Sequence, residues 1–152
     1  MNEITTINPT GVAVQDAETM PHSIEAEQQL LGAILTNNDV YDRVASIIGA
    51  KHFYDPVHAR IYETAATKIA RNTLASPVTL KTYMEEDAGL QELGGPAYLA
   101  RLAGAAISAF AVRDYAQLIY DLAVRRDLIL LGRDISAKAA KVDVASGPKD
   151  QI

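Results

Sequence analysis

Ile24, Leu31, Ile34 and Leu35 recur at helical spacing between Ser23 and the pair Asn37-Asn38. This pattern predicts a first helix over about 24–36 with those side chains facing a core. Ser23 is the expected N-cap, because its hydroxyl can accept from a backbone N–H that the helix leaves unpaired. Glu25 and Glu27 fall in the first turn, where negative charge meets the positive end of the helix dipole. Gly32 interrupts the helix at the flank of the apolar stripe, where it costs about 1 kcal/mol against alanine. Two readings stand side by side: simple tolerance, or close approach of another helix.

Further along, Asp39 is expected to cap a short second helix carrying Val40, Tyr41, Val44, Ile47 and Ile48, closed by Gly49. A KHFY turn then brings two aromatic residues towards the core. Asp55-Pro56 is a strong start signal, a cap followed by proline at the first helical position. The third helix, about 56–71, places Ile61, Ala65 and Ile69 on one face. A fourth is expected from VTLKTYMEED, capped by Thr79 and broken by Gly89. LQEL reads as a short turn, and Gly94-Gly95-Pro96 stops one element and starts another, about 97–104, anchored by Tyr98, Leu99 and Leu102.

From about 111 to 140 only Gly132 interrupts the helical pattern. A helix of that length spans roughly 45 Å, more than a small head can cover, so part of it should project. Its Leu128–Leu131 run, LILL, occupies four consecutive positions and wraps the full circumference, and Ile135 extends the apolar surface by a turn. A helix touching one core shows a stripe, not a ring. The excess is read as contact with another subunit or a partner protein, with folding back onto the head as the competing reading. Apart from a short VTL there is no strand signal. The expected fold is all-α: a multi-helix head over 21–106 and one long projecting helix over 107–141. Residues 1–20 read as a disordered tail, and 142–152 as a flexible end.

Composition agrees with a helical globular chain. It has 152 residues, 49% hydrophobic and 22% charged, with no tryptophan. The absence of cysteine excludes disulfides, thiolate metal sites and a cysteine nucleophile. No apolar run is long enough to span a bilayer. The first basic residue is Arg43, so no secretory or transit signal is legible, and a cytoplasmic location is expected. The net charge is −5 with dispersed cations, which argues against direct DNA binding by this segment. Arg125-Arg126 reads as a solvated helix face before a phosphate clamp.

Motifs for chemistry are missing. The sequence contains neither G-x-x-x-x-G-K-[ST] nor G-x-G-x-x-G, and no nucleophile elbow or HExxH. His52 and His58 fall on different elements and read as packing or surface residues. Glu25 and Glu27, two apart on a helix, point to different faces and cannot share a substrate. No catalytic, cofactor-binding or metal residue is expected.

Pro21-His22-Ser23-Ile24-Glu25-Ala26-Glu27-Gln28 followed by Leu31-Gly32 resembles the opening of the N-terminal domain of DnaB-type replicative DNA helicases. The similarity continues through Phe53-Tyr54, the histidine-bearing helix with Ile61, PVTL at 77–80, Gly94-Gly95 with Ala97-Tyr98-Leu99, Tyr115-Ala116 and the helix containing Arg126. It covers about residues 20–140, and the order and spacing of the motifs carry it. The resemblance implies a helical head followed by a helical hairpin. Hairpins of neighbouring subunits pair, and six subunits form a collar, a trimer of dimers, that receives primase. Pro21, Ser23, Glu25, Glu27, Gly32, Gly94 and Gly95 are the residues of the family pattern, read as structural.

In the family, ATP and magnesium belong to a motor domain whose phosphate loop this sequence lacks, so no ATPase activity is expected of the chain alone. It ends near where the second hairpin helix would begin, so that mate is expected to be missing. The expected function is that of a collar domain in DNA replication, mediating hexamer assembly and primase docking. The alternative is a stand-alone helical regulator that caps or joins the helicase ring. The expected interface residues, chosen for apolar excess, are Leu128, Ile129, Leu131 and Ile135, with Tyr98 as an aromatic at an exposed turn of the head.

Overall fold

The computed structural model describes residues 20–141. The tail and end expected at 1–20 and 142–152 therefore lie outside the described residues, Met20 excepted. Seven α-helices run in order: α1 (Ile24–Thr36), α2 (Tyr41–Val44), α3 (Pro56–Ala70), α4 (Pro77–Tyr83), α5 (Ala88–Leu93), α6 (Pro96–Gly104) and α7 (Val112–Ala140). Short 3-10 turns at Asn38–Val40, Ala50–His52 and Ala109–Ala111 join them, and no strand occurs among the described residues. The all-α architecture with a long last helix is as expected.

α1 forms the centre. It packs against α6, α7 and α3, and Leu30, Leu31 and Ile34 are buried with Ile61, Leu80, Leu90, Leu99, Leu102 and Ile119 in one cluster. Gly32 resolves in favour of close approach. A Cβ built there would lie 1.9 Å from the carbonyl oxygen of Leu102, so the backbones of α1 and α6 meet where only hydrogen fits.

The caps show how local chemistry sets the boundaries. Ser23 accepts from the Ala26 N–H at 3.1 Å, and Asp55 accepts from the Val57 N–H at 2.8 Å ahead of Pro56. Three expectations about caps need correcting. Asp39 does not cap the second helix: the Asn37 side chain accepts from the Asp39 N–H and starts a 3-10 turn, leaving α2 a single turn. Gly49 does not close it in a left-handed conformation, having φ −124°. In α4 the cap is Ser76, which accepts from the Thr79 N–H while Thr79 Oγ1 accepts from the Ser76 N–H. Thr79 thus lies inside the first turn, two residues after Pro77, which takes the first helical position.

The LQEL stretch is also helical. Asp87 accepts from the Leu90 N–H at 2.9 Å and starts α5, so Gly89 lies within a helix and does not break one. Gly94 (φ +118°) and Gly95 (φ +66°) then take the positive-φ conformations that reverse the chain into α6.

α7 leaves the head as expected. Its buried residues are Val112, Ala116, Ile119 and Ala123; beyond Ala123 none is buried. No helix among the described residues is long and apolar enough to cross a membrane.

Candidate functional site

Glu27 and Tyr98 do not have the positions that the sequence suggested. Glu27, 2% exposed, lies in the interior instead of serving the helix dipole from the surface. Its carboxylate accepts from the Tyr54 N–H at 2.7 Å and the Asp55 N–H at 3.3 Å, and meets His58 Nδ1 at 2.8 Å. His58 is fully buried, and its Nε2 lies 2.6 Å from the Tyr98 hydroxyl. Tyr98 is 5% exposed, so it is a core residue and not an aromatic on an exposed turn. Its hydroxyl also accepts from Gln28 Nε2 at 3.0 Å.

Every polar atom has a partner if the chain of donors runs from Gln28 to the Tyr98 oxygen, from the Tyr98 O–H to His58 Nε2, and from His58 Nδ1–H to Glu27. Burial pushes the Tyr98 phenol above its usual pKa, which keeps the hydroxyl available as a donor. This largely buried acid–histidine–tyrosine row ties α1, α3 and α6 together. Glu25, by contrast, stays exposed and accepts from Gln29 Nε2.

Arg126 is a further correction. It is neither a bare solvated residue nor a phosphate clamp: it donates to the Pro21 carbonyl at 2.8 Å and to the His52 carbonyl at 2.9 Å. Its guanidinium lies 5.4 Å from the centre of the Tyr54 ring, on which His22 stacks at 3.9 Å. Pro21 and His22, at the start of the family pattern, are thus fastened to the long helix.

The polar groups of the groove between α3 and α4 do not converge on a ligand. Thr64, Thr67 and Thr73 donate to the carbonyls of Arg60, Glu63 and Lys68, and Lys68 lies over the Tyr83 ring at 4.4 Å. Among the described residues no cluster of histidine and acidic side chains is arranged to hold a metal.

What α7 does present is an apolar seam. The LILL ring separates by face once the buried line is known. Leu130 continues the line Val112, Ala116, Ile119, Ala123 past the edge of the head. Leu128 (61% exposed), Leu131 (55%) and Ile135 (60%) join Tyr120 and Val124, also exposed, on another side. These five follow intervals of four, four, three and four, and at 100° per residue they fall within a band about 80° wide. This is the spacing by which paired helices bury facing side chains. Ile129 is half-buried and lies off the seam. Tyr120 and Val124 were missed by a reading that began at the LILL run, although their spacing was legible.

Among the described residues, an all-helical head carrying a long helix with an exposed apolar seam is an architecture suited to packing against another surface. Residues 19–121 match the family model described as DnaB-like helicase N terminal domain. The chain belongs to that family. It is 38% identical over 133 residues to the replicative DNA helicase DnaB of Rickettsia typhi, covering 88% of this chain and 27% of that protein. With the DnaB of Treponema pallidum it shares 32% over 127 residues, covering 84% and 29%. It thus spans less than a third of the length of these relatives.

The fold is that of the crystal structure of the N-terminal domain of DnaB helicase from Mycobacterium tuberculosis, with TM-score 0.78, 23% identity, and coverage of 88% of this chain and 92% of that one. A DnaB-like replicative helicase, described with its interactions with primase, matches with TM-score 0.66 at 23% identity, over 85% of this chain and 29% of that one.

Proposed function

We propose that this chain serves as the collar segment of a replicative DNA helicase, pairing subunits through α7 and docking primase. The observation that carries the reading is the seam of Tyr120, Val124, Leu128, Leu131 and Ile135, exposed on a helix that outruns its own head. Fully burying an exposed aliphatic side chain contributes roughly 1.5–3 kcal/mol, and Leu128, Leu131 and Ile135, each more than half exposed, have the most to gain. Pairing against a helix of another subunit gives the seam a partner, and a trimer of such dimers gives the six-subunit collar. The solved helicase described with primase supports primase as the second partner. ATP and magnesium belong, in this reading, to the motor of the whole helicase, and DNA is held there and not by this segment, whose net charge is −5.

The test is the mass of the chain in solution, alone and with a primase C-terminal domain, for the wild type and for Leu131→Asp combined with Ile135→Asp. Both side chains lie beyond the buried part of α7, so the thermal transition of the head should be unchanged while association weakens at least about tenfold, the effect of roughly 1.4 kcal/mol. Unchanged sedimentation and unchanged primase binding in the double variant would refute the reading.

A further inference from the structure

Ala123 is the last buried residue of α7, and Arg126, on the same face one turn on, is half-buried. Beyond it the helix continues to Ala140, about 21 Å at 1.5 Å per residue, so a tilt of about 10° at Arg126 moves the tip by roughly 4 Å. Arg126, at the edge of the buried stretch of α7, is therefore placed to influence the direction of the projecting half.

We propose that Arg126 and His52 form a proton-sensitive latch that fixes the direction in which α7 leaves the head. Arg126 is the positioning residue. It grips two carbonyls distant in sequence, those of Pro21 and His52, and lies against Tyr54. His52 meets α7 twice, through its carbonyl on Arg126 and through its ring, which packs edge-on to Tyr120 with centroids 5.1 Å apart. The ring is held by one further bond: Nδ1 accepts from the Gly49 N–H at 2.8 Å. That bond requires an unprotonated Nδ1. A proton there sets two N–H groups against each other, and turning the ring over presents a C–H instead of an acceptor. Either response loosens the 3-10 turn whose last carbonyl Arg126 holds.

The charges around His52 favour the neutral form. Lys51 on its own turn and Arg126 on α7 oppose a further positive charge, and Asp127 on α7 is the acidic group that offsets them. Tyr120 faces the ring without charge, and His22 stacks on Tyr54 beside the latch. Burial first, then Lys51, lowers the His52 pKa below its ordinary value of 6.5. A lowered folded-state pKa means that the latch is whole above the ordinary value and is lost as pH falls through the lowered one.

The chain contains no cysteine, so Glu63→Cys on α3 and Ser136→Cys near the tip of α7 place a single pair of spin labels. Distances are measured on the dilute full chain between about pH 8 and pH 5, the window in which histidine titrates. The wild type should give a narrow distribution at the upper end that roughly doubles in width at the lower. Arg126→Ala should be broad throughout. His52→Asn should stay narrow throughout, since its amide oxygen accepts from Gly49 without titrating.

The latch is overturned by a wild-type width that ignores pH, or by a narrow distribution in Arg126→Ala. It is equally overturned if His52→Asn still broadens in acid, which places the titration on His22 or elsewhere. Broadening that merely tracks loss of the far-UV helical signal overturns it too.

Discussion

Where α1 crosses α6, Gly32 leaves no room for a methyl group, because the atom opposite is a backbone carbonyl oxygen and not a flexible side-chain end. Gly32→Ala must push the two helices apart, and the expected loss is about 1–3 kcal/mol or more. A chain of this size loses roughly 2–4 °C in Tm for each kcal/mol, so a calorimetric scan reads the effect directly. Tyr98→Phe tests the buried row by removing one oxygen. Gln28 can turn to solvent, but His58 Nε2 is left without a partner in the interior, and the cost is about 1–3 kcal/mol. A variant as stable as the wild type in urea would show that the row is not a structural tie. For Gly32 the sequence offered close approach beside simple tolerance without deciding between them; the hydrogen-bonded place of Tyr98 was not legible, since a tyrosine in the first turn of a helix fits several environments.

At the scale of elements, α5 illustrates how a cap couples to a neighbour. Asp87 accepts from the Leu90 N–H and from Arg60 of α3, whose side chain is partly exposed. The hydrogen bond from Arg60, reinforced by backbone N–H groups, holds the Asp87 carboxyl at about 2, below its ordinary 3.8. A depressed carboxylate pKa stabilises the fold above the ordinary value and ceases to do so as pH falls through the lowered one. The urea stability of the wild type should therefore decline between about pH 4 and pH 2, and Asp87→Asn should show a flatter profile over that window. Equal slopes would remove Asp87 from the account. Because Arg60 faces water, the pair itself contributes little, and the effect is expected to be modest.

At this scale much was legible. The Ser23 and Asp55-Pro56 starts, the Gly94-Gly95-Pro96 reversal and the span of α7 follow from bonds and dihedrals within a few residues. Asp87 was passed over because Gly89, read as a breaker, hid a helix of one and a half turns.

For the whole molecule, the exposed seam of α7 is apolar, so the association proposed for it should be driven by burial and not by charge. Raising salt until the Debye length falls to about 3 Å should leave the association little changed, whereas cooling should weaken it. Sedimentation across salt and temperature separates this from pairing through the charged residues that share α7. Collapse of the complex in high salt would shift the interface onto those charges.

The amino-acid order alone determined that the chain is helical, where most helices begin, and that its last helix outruns the head, because periodicity and capping act over at most about four residues. Only the tertiary structure decided the places of Glu27, His58, Tyr98 and Arg126. Their partners lie 31, 40 and 105 residues away. A buried polar group must find its hydrogen-bond partner wherever the fold brings one, and no local spacing encodes that distance.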